Sequence, residues 1–268
     1  MKNVDLESLV ASVVTSSQQA GEKILDIYRD EIVVQIKEDS SPLTEADLAS
    51  HRCLVDAIKG FELGFPIISE ESGTELSFEI RNSWETYWLI DPLDGTKEFI
   101  KKNGEFTVNV ALIHNHEPVL GVVYVPVYGQ CYYAAKGLGA FKKTKDNSTV
   151  KIRAKSRASE RPTVVGSRSH KTGALAEFLE KLGDHEIISM GSSLKFCLVA
   201  EGAADLYPRM GLTSEWDTAA AHCIVEQAGG EITLLDGKPL LYNTKDSYLN
   251  PFFLVYGDRS RDWTSYVS

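Results

Sequence analysis

The chain has 268 residues with 43% hydrophobic content, enough to bury one large core or two modest ones, and its 25% charged and 9% aromatic residues argue against disorder. A net charge of −10 repels polyanions, which excludes broad binding to long nucleic acid or anionic lipid. The longest apolar run, 119–127, is broken by Gly121 and Pro126 and is too short to span a bilayer, and the first residues carry no pattern of a secretory signal. Four cysteines (Cys53, Cys131, Cys197, Cys223) are irregularly spaced with no CxxC pair, which argues against zinc and disulfides and for reduced, mostly buried thiols. A soluble cytoplasmic protein is expected.

Leu6, Leu9, Val10, Val13, Val14, Ile24, Ile27 and Tyr28 recur at three and four, so residues ~4–29 predict an amphipathic helix. A second helix is predicted from Thr44, with an apolar stripe at Ala46, Ala49, Cys53, Leu54, Ala57 and Ile58. Thr44 with Asp47 three later fits a capping box, and Ser41-Pro42 suits an extended entry. After Gly60 the period shortens. Strands are predicted at 87–90, 107–113, 119–125 and 130–135, with a hairpin at 114–118, giving an antiparallel sheet flanked by two helices. From Arg161 strands and helices alternate: strands at 163–166, 186–189, 205–207, 231–234 and 252–256, helices at ~172–182, 193–202 and 216–228. Two subdomains are expected, 1–155 and 156–268, without repeats or low-complexity tracts. The segment 136–161 holds nine basic residues against Asp146 and Glu160, which reads as a solvated face or as a surface that steers an anionic ligand.

The chemistry concentrates in acids. In Trp88–Phe99, WLIDPLDGTKEF, Pro92 biases Asp91 toward extended backbone at a strand end, and Gly95 permits a tight turn. A helix beginning near Thr96 would leave the Gly95 and Thr96 N–H groups free for a phosphate oxygen. Carboxylates without histidine or thiolate favour hard cations, Mg²⁺ or Mn²⁺. Alone, the motif fits an ordinary helix N-cap as well as a metal site. Two further acidic motifs stand at comparable places: Ser69-Glu70-Glu71 after an apolar run, and Ser214-Glu215-Trp216-Asp217 at a helix start. Each singly reads as solvated charge or a cap; three in one chain call for a common cause. The D-x-D-G-T motif of haloacid dehalogenase-like phosphatases spaces its acids two apart on a first strand. Asp91 and Asp94 are three apart and come after about ninety residues, which argues against an aspartyl-phosphate.

Together these motifs resemble the magnesium-dependent, lithium-sensitive phosphatase superfamily of inositol monophosphatase and fructose-1,6-bisphosphatase. The resemblance is carried by Asp39-Ser40-Ser41-Pro42-Leu43-Thr44-Glu45-Ala46-Asp47, Ser69-Glu70-Glu71, Asp91–Thr96 (DPLDGT) and Trp216–Ala220 (WDTAA), in family order over most of the chain. Gly191–Gly202 and Asp205–Arg209 are similar to the bacterial 3′(2′),5′-bisphosphate nucleotidase branch. The resemblance implies an α+β/α/β fold, a layered αβαβα sandwich. It implies two Mg²⁺ ions, one held by Glu70, Asp91 and the Leu93 carbonyl, the other by Asp91, Asp94 and Asp217, with Glu70 serving a weaker third. Asp47 and Thr96 would form the catalytic pair that takes a proton from water, although Asp47 also reads as a helix-capping acid. Substrate contacts would come from Glu70, Leu93, Asp94, Gly95, Thr96, His170, Ser192, Lys195, Arg209 and Asp217, with Ser193 in the same stretch. Ser192, Ser193, His170 and Arg209 read equally as a helix cap, a polar loop and a surface ion pair. The implied reaction removes the 3′-phosphate of 3′-phosphoadenosine 5′-phosphate by direct attack of metal-activated water, in sulfate assimilation or nucleotide recycling. An inositol monophosphatase is the alternative, and a non-catalytic metal and nucleotide sensor a third reading. The expected partner is a small nucleotide, with no long nucleic acid and no transmembrane segment. The oligomer is expected to be a monomer or homodimer, and peripheral attachment at the inner face of the cell membrane is left open.

Overall fold

The computed structural model describes residues 4–30, 32–37, 42–72, 76–166 and 173–267. Helix α1 (Leu6–Tyr28) starts at Asp5, whose carboxylate accepts from the Glu7 and Ser8 N–H groups. A hairpin of β1 (Val34–Ile36) and β2 (Pro42–Thr44) leads into α2 (Glu45–Lys59). There follow β3 (Ile67–Ser69), the single turn α3 (Phe78–Arg81), β4 (Thr86–Asp94) and α4 (Thr96–Ile100). A meander completes this part: β5 (Thr107–His114), β6 (Glu117–Val125), β7 (Gln130–Ala135), β8 (Gly139–Lys143) and β9 (Thr149–Ile152). Strands β3 to β9 form a seven-stranded sheet in sequence order.

The second part contains β10 (Thr163–Gly166), α5 (Gly173–Leu182), β11 (Glu186–Ser189), α6 (Leu194–Ala200), β12 (Leu206–Arg209), α7 (Glu215–Gln227), β13 (Glu231–Leu234) and β14 (Phe253–Tyr256). Its five strands run β11-β10-β12-β14-β13, parallel on the β11 side and antiparallel on the β13 side. A 3₁₀ turn, Trp263–Tyr266, closes the chain against α5.

These elements stack as five layers. Helices α1 and α2 bury their stripes (Val13, Ala20, Ile24, Leu54) on one face of the large sheet, against Val110, Leu112 and Val122. The opposite face, with Ala111, Ile113 and Val123, packs on α6 and α7, which also touch Ile232, Phe253 and Val255 of the small sheet. The outer face of the small sheet is covered by Phe178, Leu182 and Trp263. The layered αβαβα sandwich is therefore present. Helix α7 lies so close to β6 that a Cβ on Gly121 would stand 2.1 Å from the Ala220 carbonyl oxygen.

Several expectations need correction. The β3–β4 pair is parallel, not antiparallel, because the chain crosses over through residues 70–85 before returning. Strand β4 does not end at Asp91; it runs on to Asp94 past a register break, where Pro92 owes no N–H to the ladder. Strands β1, β2, β3, β8 and β9 and helix α3 are short and carried no periodic signal. Among the described residues, four of the nine basic residues of that segment are ion-paired: Lys142 with Glu201, Lys155 with Asp205, Arg161 with Asp184 and Glu186, and Lys136 with Glu117. None of it lines the pocket described below. All four cysteines are free, and three are buried. Among the described residues no helix is long and apolar enough to cross a membrane.

Candidate active site

Three chain segments deliver the acids. Parallel pairing sets Ser69 beside Ile90, and the Glu70 N–H donates to the Ile90 carbonyl at 3.1 Å, so Glu70 follows β3 where Asp91 continues β4. Helix α7 brings Asp217 in its first turn. One carboxylate oxygen each of Glu70, Asp91 and Asp217 lies within 4.8 Å of the others.

Each aspartate at the site divides its two oxygens. Asp47 caps α2 through Oδ2, which accepts from Thr44 N (2.7 Å) and Thr44 Oγ1 (2.6 Å), while Oδ1 accepts from Thr96 Oγ1 at 3.2 Å. Asp217 caps α7 through Oδ2, which accepts from Ser214 N (2.9 Å) and Thr213 Oγ1 (2.8 Å). Asp91 Oδ1 accepts from Leu93 N at 3.0 Å, while its Oδ2 is buried without a hydrogen-bond partner. Asp94 receives Ser193 N (2.6 Å), Ser193 Oγ (2.9 Å) and Thr107 Oγ1 (3.4 Å), all on Oδ2. The capping and catalytic readings of Asp47 are thus compatible, because different oxygens carry them. Asp94 stands outside the close trio but is tied to it through Ser193, whose hydroxyl also reaches the Asp217 carbonyl at 2.6 Å.

Burial first, and then neighbouring charge, sets the titration of the trio. Asp91 is pushed well above the carboxylate range, with Glu70, Asp94 and Asp217 as repelling neighbours. Glu70 and Asp217 are raised to about 7, Glu70 against the attraction of Lys37. Burial also raises Asp47, opposed by its hydrogen bonds from Thr44 and Thr96. Such an assembly of acids with an orphaned buried oxygen has the donor chemistry that a hard divalent cation would take.

Gly95, at φ 94°, turns the chain from β4 into α4 in a conformation that a Cβ would strain. It places the Thr96 hydroxyl between Asp47 and the Leu93 carbonyl, 3.4 Å away. Beyond Asp94 and Asp217 a pocket of about 230 Å³ opens, lined by Gly95, Glu98, Ser192, Lys195, Tyr207 and Arg209 among others. Lys195 is buried there, which lowers it to about 8, and its ammonium donates to the Ser192 carbonyl at 2.7 Å. Arg209 donates Nε to Gly211 O at 3.2 Å and Nη2 to Leu212 O. Ser192 adopts φ 44°, and its buried hydroxyl has no partner among the described residues. Ser193 does not cap α6 with its side chain; that hydroxyl serves the acids. His170 lies outside the described residues.

Sequence reasoning missed two contributors. Lys37, next to β1, donates to Glu70 Oε1 at 2.9 Å and Glu71 Oε1 at 2.5 Å, and no periodicity marks a lone lysine of a short hairpin. Asn109 donates Nδ2 to Ser193 Oγ at 2.9 Å; a polar residue inside the apolar run 107–113 was the available signal.

Known proteins resemble this chain in sequence and fold. The sequence profile of the inositol monophosphatase family matches residues 5–255. The 3′(2′),5′-bisphosphate nucleotidase CysQ of Salmonella typhimurium is 47% identical over 249 residues, covering 92% of this chain and 99% of that protein. The protein of the same name in Escherichia coli K12 is 47% identical over 241 residues, covering 89% of this chain and 96% of that one. The crystal structure of CysQ from Bacteroides thetaiotaomicron superposes with a TM-score of 0.84 at 41% identity, over 96% of this chain and 100% of that one. An inositol monophosphatase from Thermotoga maritima reaches 0.77 at 26% identity, over 97% and 96%. The chain belongs to the inositol monophosphatase family, whose members depend on metal ions.

Proposed function

We propose that this protein is a 3′(2′),5′-bisphosphate nucleotidase that hydrolyses the 3′-phosphate of 3′-phosphoadenosine 5′-phosphate to AMP and phosphate. The observation that carries the reading is the joining of two unlike ends in one pocket. Asp94 and Asp217 line one end, with Asp217 joining Glu70 and Asp91 in the close trio, and Lys195 with Arg209 lines the other. A substrate with two phosphates complements both ends: cations at the acids hold the phosphate to be cleaved, and the basic side chains hold the second. An inositol monophosphate has nothing to place at the basic end.

The donor set suits Mg²⁺: Glu70, Asp91 and the Leu93 carbonyl would hold one ion and Asp91, Asp94 and Asp217 another, and Glu70 would also serve a weaker third. Bound Mg²⁺ ions supply Lewis acidity that activates water and neutralises the departing oxygen. The protein's own residues manage the proton and the orientation. The Thr96 hydroxyl donates to Asp47 Oδ1, which turns its lone pairs toward the incoming water. As the water oxygen bonds to phosphorus, Thr96 receives a water proton and passes its own to Asp47. Burial makes Asp47 a better proton acceptor than a solvated carboxylate. The phosphorus bond to the ribose 3′-oxygen breaks on the opposite side. Gly95, Ser192, Lys195 and Arg209 orient the nucleotide, with Lys195 facing the 5′-phosphate. Residues 1–155 supply most metal ligands, and residues 156–268 supply Asp217 and the nucleotide contacts. The enzyme acts in the cytoplasm as a monomer or homodimer, clearing a nucleotide by-product of sulfate assimilation.

Phosphate release with Mg²⁺, from 3′-phosphoadenosine 5′-phosphate and from inositol 1-phosphate, with and without lithium, tests the proposal. Lithium-sensitive release favouring the nucleotide is expected. Preference for inositol 1-phosphate would move the assignment to an inositol monophosphatase, and no release from either would leave a binding protein. A chiral phosphorothioate substrate should give inversion at phosphorus, since retention requires a phosphoenzyme.

A further inference from the structure

The wall that carries Ser192 is a loop entering from β11, and the strain in its middle means that something outside must fix it. Ser192 at φ 44° occupies a left-handed conformation that a non-glycine residue keeps only where its surroundings impose it. The anchor comes from the first half of the chain. Glu105, 8% exposed just before β5, accepts the Gly191 N–H on Oε2 at 2.8 Å. The approach leaves no room for a side chain: a Cβ on Gly191 would stand 2.8 Å from the Glu105 carbonyl oxygen and 2.9 Å from Glu98 Cγ. Glu105 is itself braced, its N–H donating to Asn103 Oδ1 at 2.9 Å. From Gly191 the backbone leads to the Ser192 carbonyl, which holds the Lys195 ammonium, and to the Ser192 hydroxyl, buried in the pocket wall without a partner among the described residues.

We propose that Glu105 is a specificity-determining positioning residue: by holding the Gly191 N–H it sets the Ser192 carbonyl and hydroxyl, and through them Lys195, for the distal phosphate of a bisphosphate nucleotide. This rests on the nucleotidase reading. Glu105 is not a member of the close carboxylate trio, and its bond to Gly191 puts its influence on the loop that serves the second phosphate. The carboxylate end has its own anchor in Ser193, which Asn109 holds from β5 independently of Glu105.

Steady-state kinetics of Glu105→Ala and Glu105→Gln with Mg²⁺, on 3′-phosphoadenosine 5′-phosphate and on adenosine 3′-monophosphate, test it. Glu105→Ala should raise KM for the bisphosphate at least about tenfold, the scale of leaving a buried N–H unsatisfied, with kcat within about twofold and KM for the monophosphate little changed. Glu105→Gln keeps an acceptor at the same reach and should restore KM to within about threefold of wild type. Equal KM effects on both substrates, a fall in kcat alone, or a Gln variant as impaired as Ala would each overturn the inference. Should Glu105→Ala lose its folded circular dichroism, Glu105→Asp replaces it; withdrawing the acceptor by one methylene should give the same split, and no split overturns the proposal. Wild-type protein that cleaves the monophosphate but not the bisphosphate would instead overturn the nucleotidase reading itself.

Discussion

The two ends of the pocket are built on opposite plans. The acidic end sits where β3, β4, α2 and α7 begin or end, and each aspartate is locked by a bond to its own cap or turn. The basic end draws on one loop, one helix and one strand end: Lys195 in α6 leans on the Ser192 carbonyl, Arg209 at the end of β12 on two others, and Ser192 on a strained backbone. The acids are held by caps, turns and strand ends, whereas the loop at Ser192, on which Lys195 leans, depends on the distant contact between Gly191 and Glu105. Changes at the acidic end should therefore appear in kcat and metal affinity, and changes at the basic end in KM.

The severest test of that division is Asp91→Asn. Removing the carboxylate common to both proposed ion sites should lower kcat by about 10³-fold or more, since several kcal/mol of charge stabilisation are lost and each 1.36 kcal/mol is tenfold. The same variant should leave the melting temperature of metal-free protein nearly unchanged, because burial and repelling neighbours already keep Asp91 protonated there. Loss of both activity and metal-free stability would mean that Asp91 is chiefly structural. Thr96→Ala comes next, with kcat down about 10²–10³-fold, the scale of general base catalysis, and Mg²⁺ affinity by calorimetry unchanged. Weakened Mg²⁺ binding would contradict a pure proton relay. At the basic end, Lys195→Ala should raise KM for the bisphosphate about 10–100-fold, the value of a charge-assisted hydrogen bond, and leave adenosine 3′-monophosphate nearly unaffected. Because burial lowers Lys195 to about 8, KM of the wild type for the bisphosphate should also rise as pH goes from 7 to 9 and the ammonium is lost.

The smallest effect is thermodynamic. The folded pKa values of Glu70 and Asp217, about 7, lie above the unfolded values near 4, so folded metal-free protein retains protons that the unfolded chain releases. Their contribution to stability is full below about pH 4 and fades as pH rises through about 7. Added Mg²⁺ should consequently raise the melting temperature by a few degrees more at pH 8 than at pH 6. An equal increment at both values would mean that the trio is already ionised without metal.

The contrast also explains what was legible. The acidic end was written in contiguous motifs, because caps, turns and strand ends are local events: Thr44 with Asp47, Asp91-Pro92, Gly95-Thr96 and Ser214 with Asp217 each announce themselves within four residues. The long helices and most central strands of the large sheet were legible for the same reason, through periodicity. What could not be read is what the fold brings together across distance. Lys37 meets Glu70 from a hairpin of three-residue strands, Glu105 meets Gly191 across 86 positions, and Asn109 reaches Ser193 across 84. The parallel β3–β4 pairing was hidden likewise, since three residues show no alternation that reveals direction.

The burial of α7 between the two sheets sets an order of manufacture. A ribosome makes the strands of the large sheet before residues 215–227, so Asp217 is the last carboxylate of the trio to be synthesised, on the helix that completes the core between the sheets. The last repelling charge is added to the site only when the helix that carries it seals the core. Fragments 1–155 and 156–268 should accordingly regain activity when mixed while neither is active alone.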